Sequence, residues 1–154
     1  MYRDSCDRIA DAASKLARNW GGNAGTGFAA NGAEAQRELA QKALNWVQNF
    51  KYERNFDGSD FVNLVSAVTE GRGDCDSRAM LWAIILAHAD IRAAIMVSPL
   101  YGHAMGLADI AGTGARFEAY GTQWLVAETT ANVDIGLILA NQSDIESWLG
   151  IIFD

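Results

Sequence analysis

A run of nine apolar residues, Ala79 to Ala87, constrains this chain more than any other feature. A surface helix carries one apolar stripe, so a helix apolar on every side must be buried on nearly all sides. The run is about half the length needed to cross a bilayer, which assigns it to a core. Gly71-Arg72-Gly73-Asp74-Cys75 stands directly before it. Asp74 is placed to act as N-cap, its carboxylate accepting the N–H of Ser77. The pattern therefore predicts a central helix from Cys75 to about His88.

The other segments arrange themselves around that helix. Residues 4–19 repeat Ile9, Ala12, Ala13 and Leu16 at helical spacing, and residues 33–50 do the same with Leu39, Ala43, Leu44, Val47 and Phe50. A short helix is expected over Phe61 to Val68. Residues 21–32 hold five glycines and read as a connector. Beyond the central helix the period shortens, and Ala93–Ser98, Gly102–Ile110, Arg116–Tyr120 and Trp124–Glu128 read as strands. Asp144 to Leu149 reads as a last helical turn or two. Helices followed by a run of antiparallel strands is an α+β order. The expected organisation is a single domain over 1–154, with residues 1–32 as N-terminal helix and connector and 33–154 as the core.

Cys75 combines a glycine turn with a helix N-terminus, where unpaired N–H groups and a partial positive charge favour a thiolate. Asp74 and Asp76 oppose that charge, while Arg72, Arg78 and a protonated imidazole support it. The competing reading is an inert buried cysteine. Downstream come Gly102-His103-Ala104 and Ala127-Glu128-Thr129-Thr130. Cysteine, histidine and carboxylate are the parts of a thiol-hydrolase triad. His103 is preferred as base over His88, which lies too far along the helix from Cys75. Glu128 is preferred as orienting acid, with Asp109, Glu118 and Asp134 as rivals. One topological question follows. His103 starts its strand and Glu128 ends its own, so a plain meander through 116–120 would put them at opposite ends of the sheet. Trp82 and Trp124 are read as packing residues.

The pieces Val47-Gln48 with Tyr52, Gly73-Asp74-Cys75-Asp76, Gly102-His103-Ala104, Glu128-Thr129-Thr130 and Ile135-Gly136 resemble, in this order, the transglutaminase-like superfamily of cysteine enzymes. The resemblance covers roughly residues 44–136. It implies a papain/transglutaminase-like core, with a buried helix packed on an antiparallel sheet. It also implies Cys75, His103 and Glu128 as the catalytic set, with the Cys75 N–H stabilising the oxyanion and Gln48 or Tyr52 as a second donor, an ordinary helix-end role being the competing reading for those two. Many superfamily members carry Asp in place of Glu128, and a bacterial peptidase subset is similar to this chain in using Glu-Thr-Thr. The implied activity is acyl transfer on the amide bond of a protein or peptide. Hydrolysis is favoured over crosslinking, and a scaffold with an unused triad is the alternative of another class.

Composition narrows the rest. A chain of 154 residues, half of them hydrophobic, suits one real core. A net charge of −7 argues against a nucleic-acid partner and gives no reason to expect attraction to anionic lipid. Two cysteines, Cys6 and Cys75, are too few for a disulfide scaffold and show no metal spacing. The glycine connector lacks a Gly-Lys-Ser/Thr ending, and Asp57–Asp60 does not fit a calcium loop, so no cofactor or metal is expected. Arg72-Gly73-Asp74 is read as the turn before the nucleophile rather than as a recognition tripeptide. No signal peptide is expected in residues 1–11, and an extracytoplasmic location stays open for a mature form or an excised domain.

Overall fold

The computed structural model describes residues 2–20, 32–52 and 71–152. The expected connector, apart from Gly32, and the expected helix at 61–68 lie outside the described residues. The elements are α1 (Tyr2–Asn19), α2 (Ala33–Gln48), β1 (Lys51–Tyr52), β2 (Arg72–Gly73), α3 (Cys75–Ala87), β3 (Ala93–Ser98), β4 (His103–Ala108), β5 (Arg116–Ala119), β6 (Thr122–Ala127) and β7 (Leu149–Ile152). Two 3-10 turns, Ala140–Gln142 and Ile145–Ser147, precede β7.

The start of α3 follows from its first four residues. The Asp74 carboxylate accepts the Ser77 N–H at 3.0 Å and the Ser77 hydroxyl at 2.9 Å. Those bonds satisfy one donor that the helix itself leaves open. Every residue from Ser77 to Leu86 is buried, and the run first meets solvent at Ala87. Ile9, Ala13 and Ala17 of α1 and Leu39, Ala40, Ala43, Leu44 and Val47 of α2 close one common core around it. Full burial of each large apolar side chain contributes roughly 1.5–3 kcal/mol.

Five strands lie in the order β5-β6-β4-β3-β7, and each neighbouring pair is antiparallel. Side chains alternate across the sheet, as the pleat requires. Ala108, Leu125 and Ala127 face the helices, while Met105, Leu107, Trp124 and Val126 face a second cluster closed by Met96, Phe117 and Trp148. The sheet curls until its two edges meet, and the Tyr120 hydroxyl of the β5–β6 turn donates to the Gly150 carbonyl of β7 at 3.2 Å.

This order answers the topological question. β4 pairs directly with β6, with Gly106 opposite Ala127, and β5 lies outside them as an excursion. The start of β4 and the end of β6 therefore share one end of the sheet. One expectation is corrected. Residues 144–149 give only a 3-10 turn, and the chain then becomes β7 along the free edge of β3. Leu149-Gly150-Ile151-Ile152 has no periodicity of its own, so its partner strand specifies it.

Gly106 marks where helix and sheet come closest. A Cβ there would lie 2.4 Å from the ring of Trp82, which is itself fully buried with its indole N–H bound to the Ala40 carbonyl at 3.1 Å. Gly106→Ala must push that ring aside. We expect it to lower stability by about 1–3 kcal/mol in a denaturant titration. An unchanged midpoint would show that the helix and sheet are not packed this tightly.

Candidate functional site

Cys75 is the first residue of α3 and is 4% exposed. The strand bridge of Tyr52 with Gly73 and of Lys51 with Arg72 fixes the turn that leads into it. Asp76 Oδ1 stands 4.0 Å from the sulfur. His103 opens β4, and Glu128 follows the last residue of β6. Their side chains meet, with Nε2 of His103 2.7 Å from Oε2 of Glu128. The other carboxylate oxygen accepts both the N–H and the hydroxyl of Thr130, at 2.9 and 2.7 Å. Glu128 is thus held at both oxygens, and its orientation is set before any substrate arrives. The rival acids stand elsewhere. Asp109 pairs with Arg92 at 3.1 Å, and Glu118 and Asp134 are exposed.

Burial by itself would discharge His103. Hydrogen bonding to Cys75 and to Glu128, together with the negative charge of both partners, overrides it and raises the imidazole from 6.5 to about 9. Burial likewise pushes the Glu128 carboxyl up, and His103 with Thr130 brings it below its ordinary value. An imidazolium–carboxylate pair is therefore the resting state at neutral pH. Because Glu128 holds Nε2, Nδ1 is the ring nitrogen left for the thiol.

Four further side chains brace this geometry. Arg78, buried one turn into α3, donates to the carbonyls of Gly73 at 2.9 Å, Phe50 at 2.6 Å and Thr129 at 3.4 Å. Gln41 accepts the Ile135 N–H at 2.8 Å. Trp148 stands edge-on to His103, ring centroids 6.2 Å apart, with its N–H on the Gln142 carbonyl at 2.7 Å. Gln48, expected as an oxyanion donor, is the fourth. Its amide nitrogen donates to the carbonyls of Glu128 at 2.9 Å and Val133 at 2.8 Å. Both amide hydrogens are thereby taken, so Gln48 anchors the Glu128 loop rather than facing a substrate. Tyr52 contributes its backbone to the bridge with Gly73, and its side chain lies outside the described residues. So does that of Cys6.

No local pattern announces Trp148, and Arg78, expected as a charge favouring a thiolate, is engaged by three backbone carbonyls. A charged residue in an apolar helix was the one available signal for Arg78. Gly136 was singled out by resemblance, and its physical reason is close contact. It has φ +93 and lies against Gly114, with 2.8 Å between a Cβ placed on it and the Gly114 Cα.

Beside the His103–Glu128 pair opens a cavity of about 390 Å³, walled by Val133, Leu137, Ile138, Leu139 and Gln142. Among the described residues, no group of three or more His, Cys, Asp or Glu side chains is arranged to hold a metal ion, and no helix is long and apolar enough to cross a membrane.

The sequence profile of the transglutaminase-like superfamily core matches residues 25–129. No curated protein sequence matches the chain. Among solved structures, calcium-bound LapG of Legionella pneumophila is similar at 14% identity, over 82% of this chain and 75% of that one, with a TM-score of 0.43. A presumed cysteine protease of Cytophaga hutchinsonii is similar at 18% identity, over 93% of this chain and 47% of the other, with a TM-score of 0.49.

The raised imidazole carries a stability signature. Its folded value of about 9 exceeds the ordinary 6.5, so its contribution is complete below about pH 6.5 and is lost as pH rises through about 9. Glu128 has the opposite sign, contributing above its ordinary value and losing that contribution as pH falls through its lowered one. We expect the stability gap between wild type and His103→Gln to narrow from about pH 6 to about pH 9.5 in parallel denaturant titrations. A gap independent of pH over that range would mean that folding does not shift the titration of His103.

Proposed function

The chain belongs to the transglutaminase-like superfamily, and from that premise we propose that it is a thiol-dependent acyl-transfer enzyme that hydrolyses an amide bond of a protein or peptide through Cys75, His103 and Glu128. The observation that carries this reading is the 2.7 Å contact that fixes His103 on Glu128, with Cys75 among the groups that keep the imidazole charged.

The chemistry follows from which nitrogen is free. Glu128 accepts the hydrogen bond of Nε2–H, and Nδ1, on the other side of the ring, carries the proton taken from the thiol, so the resting pair is thiolate and imidazolium. The sulfur attacks the carbonyl carbon, and negative charge builds on the carbonyl oxygen. The backbone N–H of Cys75, at the first position of α3, has no acceptor within the helix and is the proposed donor to that oxygen. His103 then returns its proton to the departing nitrogen, the C–N bond breaks, and a thioester remains. Water, deprotonated by His103, attacks the thioester and releases the acid with the regenerated thiol.

Cys75→Ala is expected to abolish amide hydrolysis while leaving the circular dichroism spectrum unchanged, whereas Cys6→Ser keeps both. Glu128→Gln tests the orienting acid. A carboxamide keeps a hydrogen-bonding group but removes the negative charge that holds the imidazolium. Activity near neutral pH should fall by about a thousandfold or more, and iodoacetamide should alkylate Cys75 more slowly. Superimposable alkylation profiles in two folded proteins would remove Glu128 from the mechanism. A Cys75 inert to alkylation in wild type would point instead to a binding module.

A further inference from the structure

The substrate preference can be taken further, on the footing of the acyl transfer just proposed. The 390 Å³ cavity is bordered by His103 and Glu128, and its described wall does not include Cys75. This asymmetry has chemical meaning. The acyl carbon bonds to the sulfur, whereas the departing nitrogen must come within about 3 Å of the imidazole nitrogen that protonates it. Space on the imidazole's side of the site holds whatever is attached to that nitrogen.

The wall states what fits there. Val133, Leu137, Ile138 and Leu139 are apolar, and Leu137 and Leu139 expose 53% and 61% of their surface. An apolar group entering the cavity covers them. Among the described residues the charged groups on the wall are His103 and Glu128, which already satisfy each other and offer a charged side chain no counter-ion. Gln142 lines the cavity too, and its Oε1 is buried with no hydrogen-bond partner. A mostly apolar wall is the usual make-up of a site that holds an apolar ligand group, and the volume suits one large side chain with its backbone.

We propose that this cavity is the subsite for the amine side of the substrate, selecting an uncharged apolar residue of leucine or methionine size directly after the scissile bond. The same subsite must then serve the reverse geometry. An amine seated there attacks the thioester, its nitrogen bonds to the acyl carbon, and the C–S bond breaks. The amine proton passes through His103 to the sulfur.

The test uses p-nitrophenyl acetate, whose nitrophenolate leaves without a proton from His103, so its burst measures acylation of Cys75 alone. Leucinamide, glycinamide or aspartic acid α-amide then competes with water for the acetyl group, and the N-acetyl products are counted per burst equivalent. Leucinamide should capture roughly tenfold more acetyl than glycinamide, and the aspartic amide no more than glycinamide. Leu139→Glu, at an exposed rim position, should reduce leucinamide capture about tenfold and favour lysinamide instead. A full burst with no excess capture of leucinamide overturns the subsite and leaves the acyl transfer standing. A wild type without a burst, or a burst that survives Cys75→Ala, overturns the acyl transfer and the subsite with it.

Discussion

A guanidinium with almost no contact with water organises this molecule. Arg78 is 2% exposed and sits one turn into the apolar helix, and it cannot shed its charge. Burying such a group is costly unless its fork of donors is met, so acceptors must converge on it. The acceptors found are the carbonyls of Gly73, Phe50 and Thr129. Each belongs to a segment that bears on the site: the turn before Cys75, the end of the α2 region, and the residue after Glu128. Satisfying one buried charge therefore sets the helix start that carries the sulfur against the loop that carries the carboxylate.

The sheet supplies the remaining registration. Because β4 pairs directly with β6, the imidazole at one strand's beginning and the carboxylate beyond the other's end face a common edge. Gln48 then ties the carbonyls on either side of that loop to α2, and Thr130 occupies the carboxylate oxygen that His103 leaves over. The result is a pair of side chains whose geometry does not depend on a bound ligand. Preorganisation of this kind is what a proton-transfer site needs, since every group that must reorient during reaction adds to the barrier.

Much of this was legible in the chain itself, for definite reasons. Helix capping is local, so Asp74 and Ser77 alone announce where α3 begins. Burial of α3 is equally local, because an apolar run has no solvent-tolerant face. The convergence of His103 and Glu128 depends on strand order, which no residue within either strand encodes, and β5 read equally well as an intervening partner. β7 was hidden because a short edge strand containing a glycine takes its conformation from the neighbour it pairs with. For Gln48, resemblance supplies a residue type but not the two carbonyls that claim its amide. Trp148, more than forty residues from His103 in sequence, meets it because β7 pairs with β3 beside β4, with Leu149 and Ala104 both opposite Val97.

Everything proposed for the site turns on a charged imidazole at neutral pH, and that charge is directly observable. Nitrogen-15 chemical shifts of the His103 ring, followed by NMR across a pH titration, report its protonation without reference to any substrate. The value expected for the wild type is about 9. In Glu128→Gln, and separately in Cys75→Ala, the midpoint should move down toward the ordinary 6.5 as each supporting charge and hydrogen bond is withdrawn. A wild-type midpoint already near 6.5, unmoved by either substitution, would contradict the coupled site described for Cys75, His103 and Glu128.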